Sequence, residues 1–203
     1  MQIVKIPKFV QSLFPSLVWK KENSEKEIYL TFDDSPTPEF TYWILNLLSS
    51  LNIKATFFCV GESAEKHPKI IDAILNNGNQ IGNHTYSHKN GFLSSNKMYL
   101  QDIDRCKNIL PNTNLFLPPF GKMYAWQIRN IKEKYKIIMW DVLSYDFTEN
   151  ISEKQLKKNI LKNTESGSII VFHDNKKSEK ILQKNLEEIL KTLLKRGFKF
   201  GTI

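Results

Sequence analysis

Short apolar segments alternate with amphipathic helical patterns along this chain, and this alternation constrains the fold more than any other feature. Strands that alternate with helices form a mostly parallel sheet covered by those helices. Most of the strand candidates are too uniformly apolar for a sheet with one wet face. The predicted strands span residues 27–32, 55–60, 79–83, 114–118, 136–142, 168–173 and 198–203. Seven strands fit either a TIM-type barrel one unit short or an open doubly wound sheet.

Two segments carry the clearest helical patterns. Thr37, Pro38 and Glu39 combine an N-cap residue, a first-turn proline and an early acid, and they predict a helix start. The apolar stripe of that helix consists of Ile44, Leu47, Leu48 and Leu51. A second helix repeats this spacing and is predicted to end at Gly197. Its stripe consists of Leu182, Leu186, Ile189, Leu190 and Leu193.

The composition is that of an ordinary globular domain. A chain of 203 residues with 41% hydrophobic and 25% charged residues can build one sizeable core. The net charge is +8, but the lysines are scattered over helical segments and only three arginines occur. A nucleic-acid-binding face is therefore not expected. Cys59 and Cys106 are too few for a disulfide framework, and no apolar run has the length of a membrane span.

We expect residues 1–26 to form an N-terminal segment that packs on or flanks a domain of residues 27–203. The beginning of this segment is fairly apolar, but lysines and prolines interrupt it and no small-residue cleavage site follows. A signal peptide is therefore not expected, and we expect a cytoplasmic location. Contact of the segment with a membrane surface stays an alternative. The sequence does not indicate an oligomeric state.

Acidic residues, histidines, glycines and a proline-rich turn follow most of the predicted strands. In a parallel α/β barrel, catalytic groups lie at the carboxyl ends of the strands. Three of the four histidines of the chain occupy such positions. The clustering of these residues, more than any single one, predicts a catalytic site at this end of the barrel. In chain order they are Asp33, Asp34, Gly61, His84, His88, Pro118, Pro119, Phe120, Gly121, Asp141, Asp146, His173 and Asp174.

The spacing of His84 and His88 is compatible with a metal site. If the segment turns helically, both imidazoles share one face and can hold one metal ion. A dication needs at least one anionic ligand as well, and Asp33 or Asp34 can provide it. Because adjacent strand residues face differently, one carboxylate could bind the metal while the other acts as a base. The alternative is that each histidine only hydrogen-bonds a loop.

His173 ends an apolar strand abruptly, which is the position expected of a general acid that protonates a leaving group. A carboxylate at Asp146 would orient the imidazole and raise its pKa. The alternative is a histidine satisfied within the core. The segment Pro118–Gly121 is either a plain turn or a rigid turn that presents backbone N–H groups to an oxyanion. Trp140 and Phe147 either line an apolar pocket or belong to the core.

Five ordered segments resemble the motifs of a known family. The segments "TFDDSP", "HTYSH", "LPPFG", "WDVLSYDF" and "VFHD" are similar to those of polysaccharide deacetylases, the NodB-homology domain of carbohydrate esterase family 4. The similarity runs from about residue 28 to the end of the chain. It implies an α/β fold, a distorted, TIM-like (β/α)7 barrel of the NodB-homology type. It also implies metal-dependent removal of N-acetyl groups from carbohydrates such as chitin oligomers, peptidoglycan and related cell-envelope glycans.

The resemblance implies one divalent metal ion. Zn²⁺ is the first expectation, and Co²⁺ or another transition metal is the alternative. Asp34, His84 and His88 would be its ligands, and Asp33 would be the general base that activates the attacking water.

The same resemblance implies the remaining catalytic roles. The backbone N–H of Phe120 would help to stabilise the tetrahedral oxyanion. His173 would be the general acid, and Asp146 would tune it. The expected lining of the substrate pocket is Pro118, Pro119, Trp140 and Phe147.

The chain departs from the family pattern at three positions. Ser35 replaces a usual glycine, Leu117 replaces the arginine that pairs with the base, and Phe147 replaces a usual tryptophan. Without that arginine, Asp33 should have a higher pKa than in typical members. Lys122 is a candidate replacement cation. The alternative function is therefore a catalytically weakened or inactive member that binds carbohydrate. An anion-binding module, suggested only by the net charge, is the least supported hypothesis.

Overall fold

The computed structural model describes residues 3–22, 25–110 and 112–203. The expected N-terminal segment 1–26 thus contains Met1, Gln2, Asn23 and Ser24, which lie outside the described residues. The strands are β1 (Leu17–Val18), β2 (Glu27–Ser35), β3 (Thr56–Cys59), β4 (Gln80–Asn83), β5 (Leu115–Phe116), β6 (Lys136–Ile138), β7 (Val142–Leu143), β8 (Ile169–His173) and β9 (Lys199–Gly201). The α-helices are α1 (Lys8–Leu13), α2 (Phe40–Ser50), α3 (Gly61–Lys66), α4 (Pro68–Asn76), α5 (Asn96–Ile109), α6 (Ala125–Ile131), α7 (Glu153–Leu161) and α8 (Lys176–Lys195).

The strands form one parallel sheet in the order β1-β6-β5-β4-β3-β2-β8-β7, and β9 pairs with β2. The segment 136–143 contributes one strand near each end of this sheet. Its first half, β6, pairs with β5 and β1, whereas its second half, β7, pairs with β8. The sheet therefore curls back on itself, and the predicted distorted, TIM-like α/β barrel is confirmed. The open doubly wound alternative is wrong.

Each of the seven predicted strands overlaps an observed strand, although β2 continues past its predicted end to Ser35. Two further differences are larger. The predicted strand 136–142 is broken, because residues 139–141 cross from one end of the sheet to the other. In addition, β1 lies within the N-terminal segment, where no strand was predicted. It pairs with β6, and the bridge from Lys20 to Ser168 ties the following residues to the start of β8. The described part of the N-terminal segment thus fills the seam between β6 and β8.

The core explains why the strand ends are fixed in place. Phe32, Phe57 and Phe172 lie on three adjacent strands with no solvent exposure, and their rings stack at centroid distances of 5.1 and 5.8 Å. This packing continues to the residue before Asp33 on β2 and the residue before His173 on β8. Buried aromatic rings in contact are among the strongest contributions to a core. The polar ends of β2 and β8 therefore rest on a rigid base.

The two predicted helices are present. The stripe of α8 is fully buried as expected, and Gly197 follows the helix with a φ of 80°. The predicted start of the other helix is wrong, because α2 begins at Phe40 and not near Thr37. The hydroxyl of Thr37 donates to the backbone carbonyl of Asp174 at 2.6 Å and does not cap the helix. Across the described ranges, none of the helices has the length and apolar character needed to cross a bilayer.

Candidate active site

Asp33 and Asp34 end the central strand β2 and take different positions. Asp33 keeps the parallel register with β8, where it stands opposite His173. The register with β3 shifts between Phe32 and Ser35, and Asp34 has a φ of 68°. A left-handed residue in a strand breaks the alternation of side chains. The neighbouring carboxylates are thereby set apart: Asp33 is 4% exposed, whereas the side chain of Asp34 is 21% exposed.

Asp34 lies beside both histidines of the predicted metal site. Its Oδ1 is 3.1 Å from Nε2 of His88 and 3.6 Å from Nε2 of His84. One ligand-type atom from each residue lies within 4.8 Å of the others. The helical turn considered for residues 84–88 does not form. These residues belong to an irregular loop after β4, in which Thr85 and His88 have φ values of 62° and 52°. The loop still brings the imidazole rings to a centroid distance of 5.1 Å.

Two further contacts orient these ligand-type groups. Nδ1 of His84 lies 2.7 Å from the backbone carbonyl of Leu117, which can only accept a hydrogen bond. The Nδ1 atom of His84 therefore carries the proton, and its Nε2 is free to bind a cation. The amide of Asn175 donates to Oδ2 of Asp34 at 2.7 Å and leaves Oδ1 toward the histidines. Asn175 also caps α8 by accepting from the backbone N–H groups of Lys177 and Ser178.

The ionisation states of these groups suit a dication. Burial lowers the pKa of His84 to about 3, so its imidazole is neutral. Burial opposes ionisation of Asp34, but the hydrogen bond from His88 and the nearby histidine charges hold the pKa of that carboxyl well below its usual value. Two imidazoles and one carboxylate match the donor set of catalytic zinc sites. The residues present therefore fit the metal that the sequence predicts.

His173 is held by Asp146 through two hydrogen bonds. Its Nδ1 lies 2.8 Å from Oδ1 of Asp146, and its backbone N–H donates to Oδ2 at 2.8 Å. Ser144 donates to the same carboxylate at 2.7 Å. Burial lowers the pKa of His173, but the charge and hydrogen bond of Asp146 outweigh this and raise the pKa to about 9. The imidazole is thus positively charged near neutral pH.

Asp33 lacks a comparable partner. Within the part of the chain that the structure describes, its Oδ1 is buried without a hydrogen bond. Burial raises the pKa of Asp33 well above its usual value, and the charge of His173 opposes this only in part. Leu117, where the family pattern has arginine, is 1% exposed and lines the same cavity. None of the described residues that line this cavity is an arginine, and the candidate cation Lys122 is exposed and does not line it.

One cavity of about 620 Å³ is lined by the predicted metal ligands and by Asp33 and His173. Its wall includes Trp140 and Phe147 of the predicted pocket, and Phe147 packs edge-on against the ring of His173 at 4.6 Å. Phe120 also lines the cavity, with its ring centroid 4.6 Å from that of His88. Pro118 and Pro119 are not part of the described lining; they lead into the turn that carries Phe120.

The turn at Phe120 depends on the glycine that follows it. Phe120 has a φ of 61°, and Gly121 has a φ of 65°. A Cβ atom on Gly121 would lie 2.4 Å from the Cη2 atom of Trp140. Only glycine fits both the backbone conformation and the close contact. This packing holds the backbone of the turn against the cavity wall.

Other residues at the predicted strand ends have structural positions. Asp141 accepts from the hydroxyl of Ser168 at 2.6 Å, beneath the N-terminal segment. Asp174 is fully buried, accepts from Thr41 at 2.5 Å, and has its pKa raised to about 7 by burial. Ser35 is also fully buried, and its hydroxyl donates to the backbone carbonyl of Phe32 at 3.3 Å.

Besides the apolar wall residues Leu143 and Val171, the sequence interpretation missed three polar residues that line the cavity, namely Asn175, Lys176 and Lys177. They follow the "VFHD" motif directly and open α8. The N-cap preference of asparagine was the available signal for Asn175, but it predicts only the helix start. Its second contact, to Asp34 across 141 residues of chain, depends on the fold.

Comparison with known proteins decides the family. Residues 20–140 match the family model described as polysaccharide deacetylase, which is more than half of the chain. The chain belongs to the polysaccharide deacetylase family. This family assignment confirms the resemblance seen in the five motifs and the predicted class of enzyme, a carbohydrate N-deacetylase.

Named relatives in this deacetylase family act on peptidoglycan. A peptidoglycan-N-acetylglucosamine deacetylase of Bacillus cereus is 35% identical over 189 residues, which are 89% of this chain and 68% of that protein. The peptidoglycan-N-acetylmuramic acid deacetylase PdaC of Bacillus subtilis is 29% identical over 89% of this chain and 38% of its own length.

Solved structures show the same deacetylase fold. A peptidoglycan N-acetylglucosamine deacetylase in complex with a substituted benzamide superposes with a TM-score of 0.90 at 32% identity, over 98% of this chain and 95% of that chain. A pseudoenzyme of carbohydrate esterase family 4 from Bacillus anthracis superposes with a TM-score of 0.80 at 22% identity, over 93% of this chain and 68% of that chain. A mutant of that pseudoenzyme is described as having restored enzymatic activity.

Proposed function

We propose that this protein is a metal-dependent hydrolase that removes N-acetyl groups from a carbohydrate polymer containing N-acetylglucosamine, of the peptidoglycan kind. One observation carries the proposal: three ligand-type side chains, a buried carboxyl and the imidazole of His173 line one cavity of about 620 Å³, and Asp146 holds that imidazole through Nδ1. The relatives named for peptidoglycan support the substrate class.

Asp34, His84 and His88 would hold the divalent metal, with Zn²⁺ best suited to two imidazoles and one carboxylate. A dication there would supply positive charge that polarises the acetyl carbonyl and acidifies a water molecule. Asn175 and the carbonyl of Leu117 contribute by keeping Asp34 and His84 in the required orientations.

Asp33 would accept a proton from the attacking water while the oxygen of that water bonds to the acetyl carbon. The raised pKa of Asp33 makes its carboxylate a stronger base than an exposed aspartate. The carbonyl oxygen then becomes an oxyanion, and the backbone N–H of Phe120 would donate to it. This role fits the position of Phe120 on a glycine-dependent turn beside His88.

His173 would complete the reaction by giving a proton to the departing nitrogen as the carbon–nitrogen bond breaks. The products are acetic acid, which ionises to acetate in solution, and a free sugar amine, and the proton taken by Asp33 balances the one given by His173. Asp146 supports this step because it keeps the imidazole protonated and fixes its Nδ1.

A second candidate function is carbohydrate binding without efficient turnover. The observation that favours it is Leu117, which stands where the family pattern has arginine, while Oδ1 of Asp33 is buried without a hydrogen bond in the described structure. A misplaced base can lower a rate by orders of magnitude.

The two candidates differ in one measurement. Bound metal is determined by titration with Zn²⁺ and Co²⁺. Acetate release is then followed from N-acetylglucosamine oligomers and from peptidoglycan, with and without chelator. We expect one metal per chain and release that the chelator abolishes. Metal uptake without release from any substrate of the panel would favour the binding function, and release that resists the chelator would overturn the metal-dependent mechanism.

A further inference from the structure

Three exposed aromatic side chains lie in contact with one another on the surface. Phe92, Tyr124 and Trp126 are 44, 37 and 54% exposed. The rings of Tyr124 and Trp126 stack with centroids 4.3 Å apart and an interplanar angle of 12°. The ring of Phe92 lies 4.8 Å from that of Tyr124. Clustered exposed aromatic rings often mark a binding surface. We call these three residues the aromatic platform.

The aromatic platform is built on a buried polar link. Gln127 has no solvent exposure, and its side chain accepts from the backbone N–H of Tyr124 at 2.9 Å and donates to the carbonyl of Gly91 at 3.0 Å. The loop that carries Phe92 is thereby joined to the segment that carries the other two rings. A Cβ atom on Gly91 would lie 2.4 Å from the carbonyl oxygen of Lys122, so the two segments are in close contact.

The same two segments begin at the catalytic cavity. His88 precedes Phe92 by four residues, and Phe120 precedes Tyr124 by four residues. Both His88 and Phe120 line the cavity, and their rings are in contact. Four residues of chain span at most about 14 Å. The aromatic platform therefore lies within a few sugar lengths of the site where the acetyl group would be hydrolysed.

We propose that the aromatic platform is a distal carbohydrate site that binds sugar residues of the polymer beyond the one in the cavity. The inference rests on the proposed function for its substrate class. The C–H faces of a pyranose ring are apolar and flat, and aromatic rings offer them a matching surface. The short chain connections from the aromatic platform to the cavity residues His88 and Phe120 favour a glycan over a membrane surface or a second copy of the chain.

Trp126→Ala provides the test, because Trp126 is exposed and alanine suits a helix. Tyr42→Ala is the matched control, since Tyr42 is an exposed ring on α2 that contributes to neither the cavity nor the aromatic platform. Binding of the di- and hexasaccharide of N-acetylglucosamine to metal-free protein is measured by calorimetry. We expect the wild-type protein and Tyr42→Ala to bind the hexasaccharide more tightly than the disaccharide. In Trp126→Ala the hexasaccharide affinity should fall about fivefold to tenfold, and its advantage over the disaccharide should shrink toward one.

Because binding is read without turnover, the result is independent of whether acetate is released. A hexasaccharide advantage that depends on Trp126 supports the distal site even in a protein without deacetylase activity. The proposal is overturned if wild-type protein shows no such advantage, or if Trp126→Ala keeps it. Trp126→Phe, which retains a ring, should keep most of the advantage. Loss in Trp126→Ala of binding to anionic phospholipid vesicles, or of a dimer seen by light scattering, with glycan binding intact, would assign the surface to a membrane or to a second copy and would also overturn the proposal.

Discussion

The two halves of the candidate site differ in how their functional groups are held. On the metal side, His84 is fixed by the carbonyl of Leu117 and Asp34 by the amide of Asn175. On the proton-transfer side, His173 is fixed by two hydrogen bonds, but Oδ1 of Asp33 is buried without a partner in the described structure. The side chain at position 117 affects only the second half, because the contact with His84 uses the backbone. Metal binding and turnover should therefore respond separately to mutation.

The largest effect is expected from removing a ligand-type side chain. His88→Ala should weaken Zn²⁺ binding by more than about a hundredfold, because contacts that only orient ligands already contribute about ten- to a hundredfold. Acetate release should be lost with the metal. His67→Ala is the matched control, since His67 lies between α3 and α4, outside the cavity. Calorimetric titration measures the affinity, and an unchanged value in His88→Ala would reject the metal assignment.

Asp146→Asn should act on the proton-transfer half alone. The variant keeps the shape of the side chain but removes the charge that contributes most to raising the pKa of His173 to about 9, so burial should then lower this pKa. Loss of a protonated acid at neutral pH should slow acetate release by about a hundredfold or more. Zn²⁺ affinity should change far less. NMR titration of the metal-free protein gives the pKa directly, and Asp72→Asn, at an exposed position of α4, is the control.

The raised pKa of His173 also makes the free energy of unfolding depend on pH. A histidine whose folded pKa is raised stabilises the fold fully below its unfolded pKa, and this contribution is lost as the pH rises through the folded value. The free energy of unfolding of the metal-free wild type should therefore fall between about pH 6.5 and pH 9 more steeply than that of Asp146→Asn. Parallel pH curves for the two proteins in urea denaturation would show that Asp146 does not control the charge of His173.

Leu117→Arg tests whether Asp33 needs a cation beside it. A guanidinium beside Asp33 should lower the raised pKa of that carboxyl and fix its orientation. The acidic limb of the rate profile should then move to lower pH, and the rate below the wild-type limb should rise by about tenfold for each unit of pKa. Leu117→Met, which keeps the volume without the charge, should leave the limb in place. An unmoved limb in Leu117→Arg, with Zn²⁺ affinity retained, would mean that Asp33 needs no cation.

The sequence predicted much of the fold and of the site because both depend on local patterns. Apolar strand segments and the α8 stripe are properties of short windows, and strand ends of a parallel barrel meet at one edge. Asp33, Asp34, His84, His88 and His173 could thus be placed together. The β1 strand could not be predicted, because two residues give no periodicity and their partner β6 is far along the chain. The loop conformation of 84–88 depends on left-handed residues that composition does not reveal.

The contact of Asn175 with Asp34 could not be predicted from the sequence either, because it also depends on the fold. Mutation of Asn175 is expected to have the smallest effect on Zn²⁺ binding. Its side chain donates to Asp34 and also caps α8. Asn175→Ala should weaken Zn²⁺ binding by about tenfold, because Asp34 loses its fixed orientation, and should destabilise the fold by about 1 kcal/mol through the lost cap. Asn175→Ser removes the amide but restores a good cap, so it should lose metal affinity with little loss of stability. If both variants lose stability and neither loses Zn²⁺ affinity, Asn175 serves the helix alone, and the metal half is held by fewer contacts than its geometry suggests.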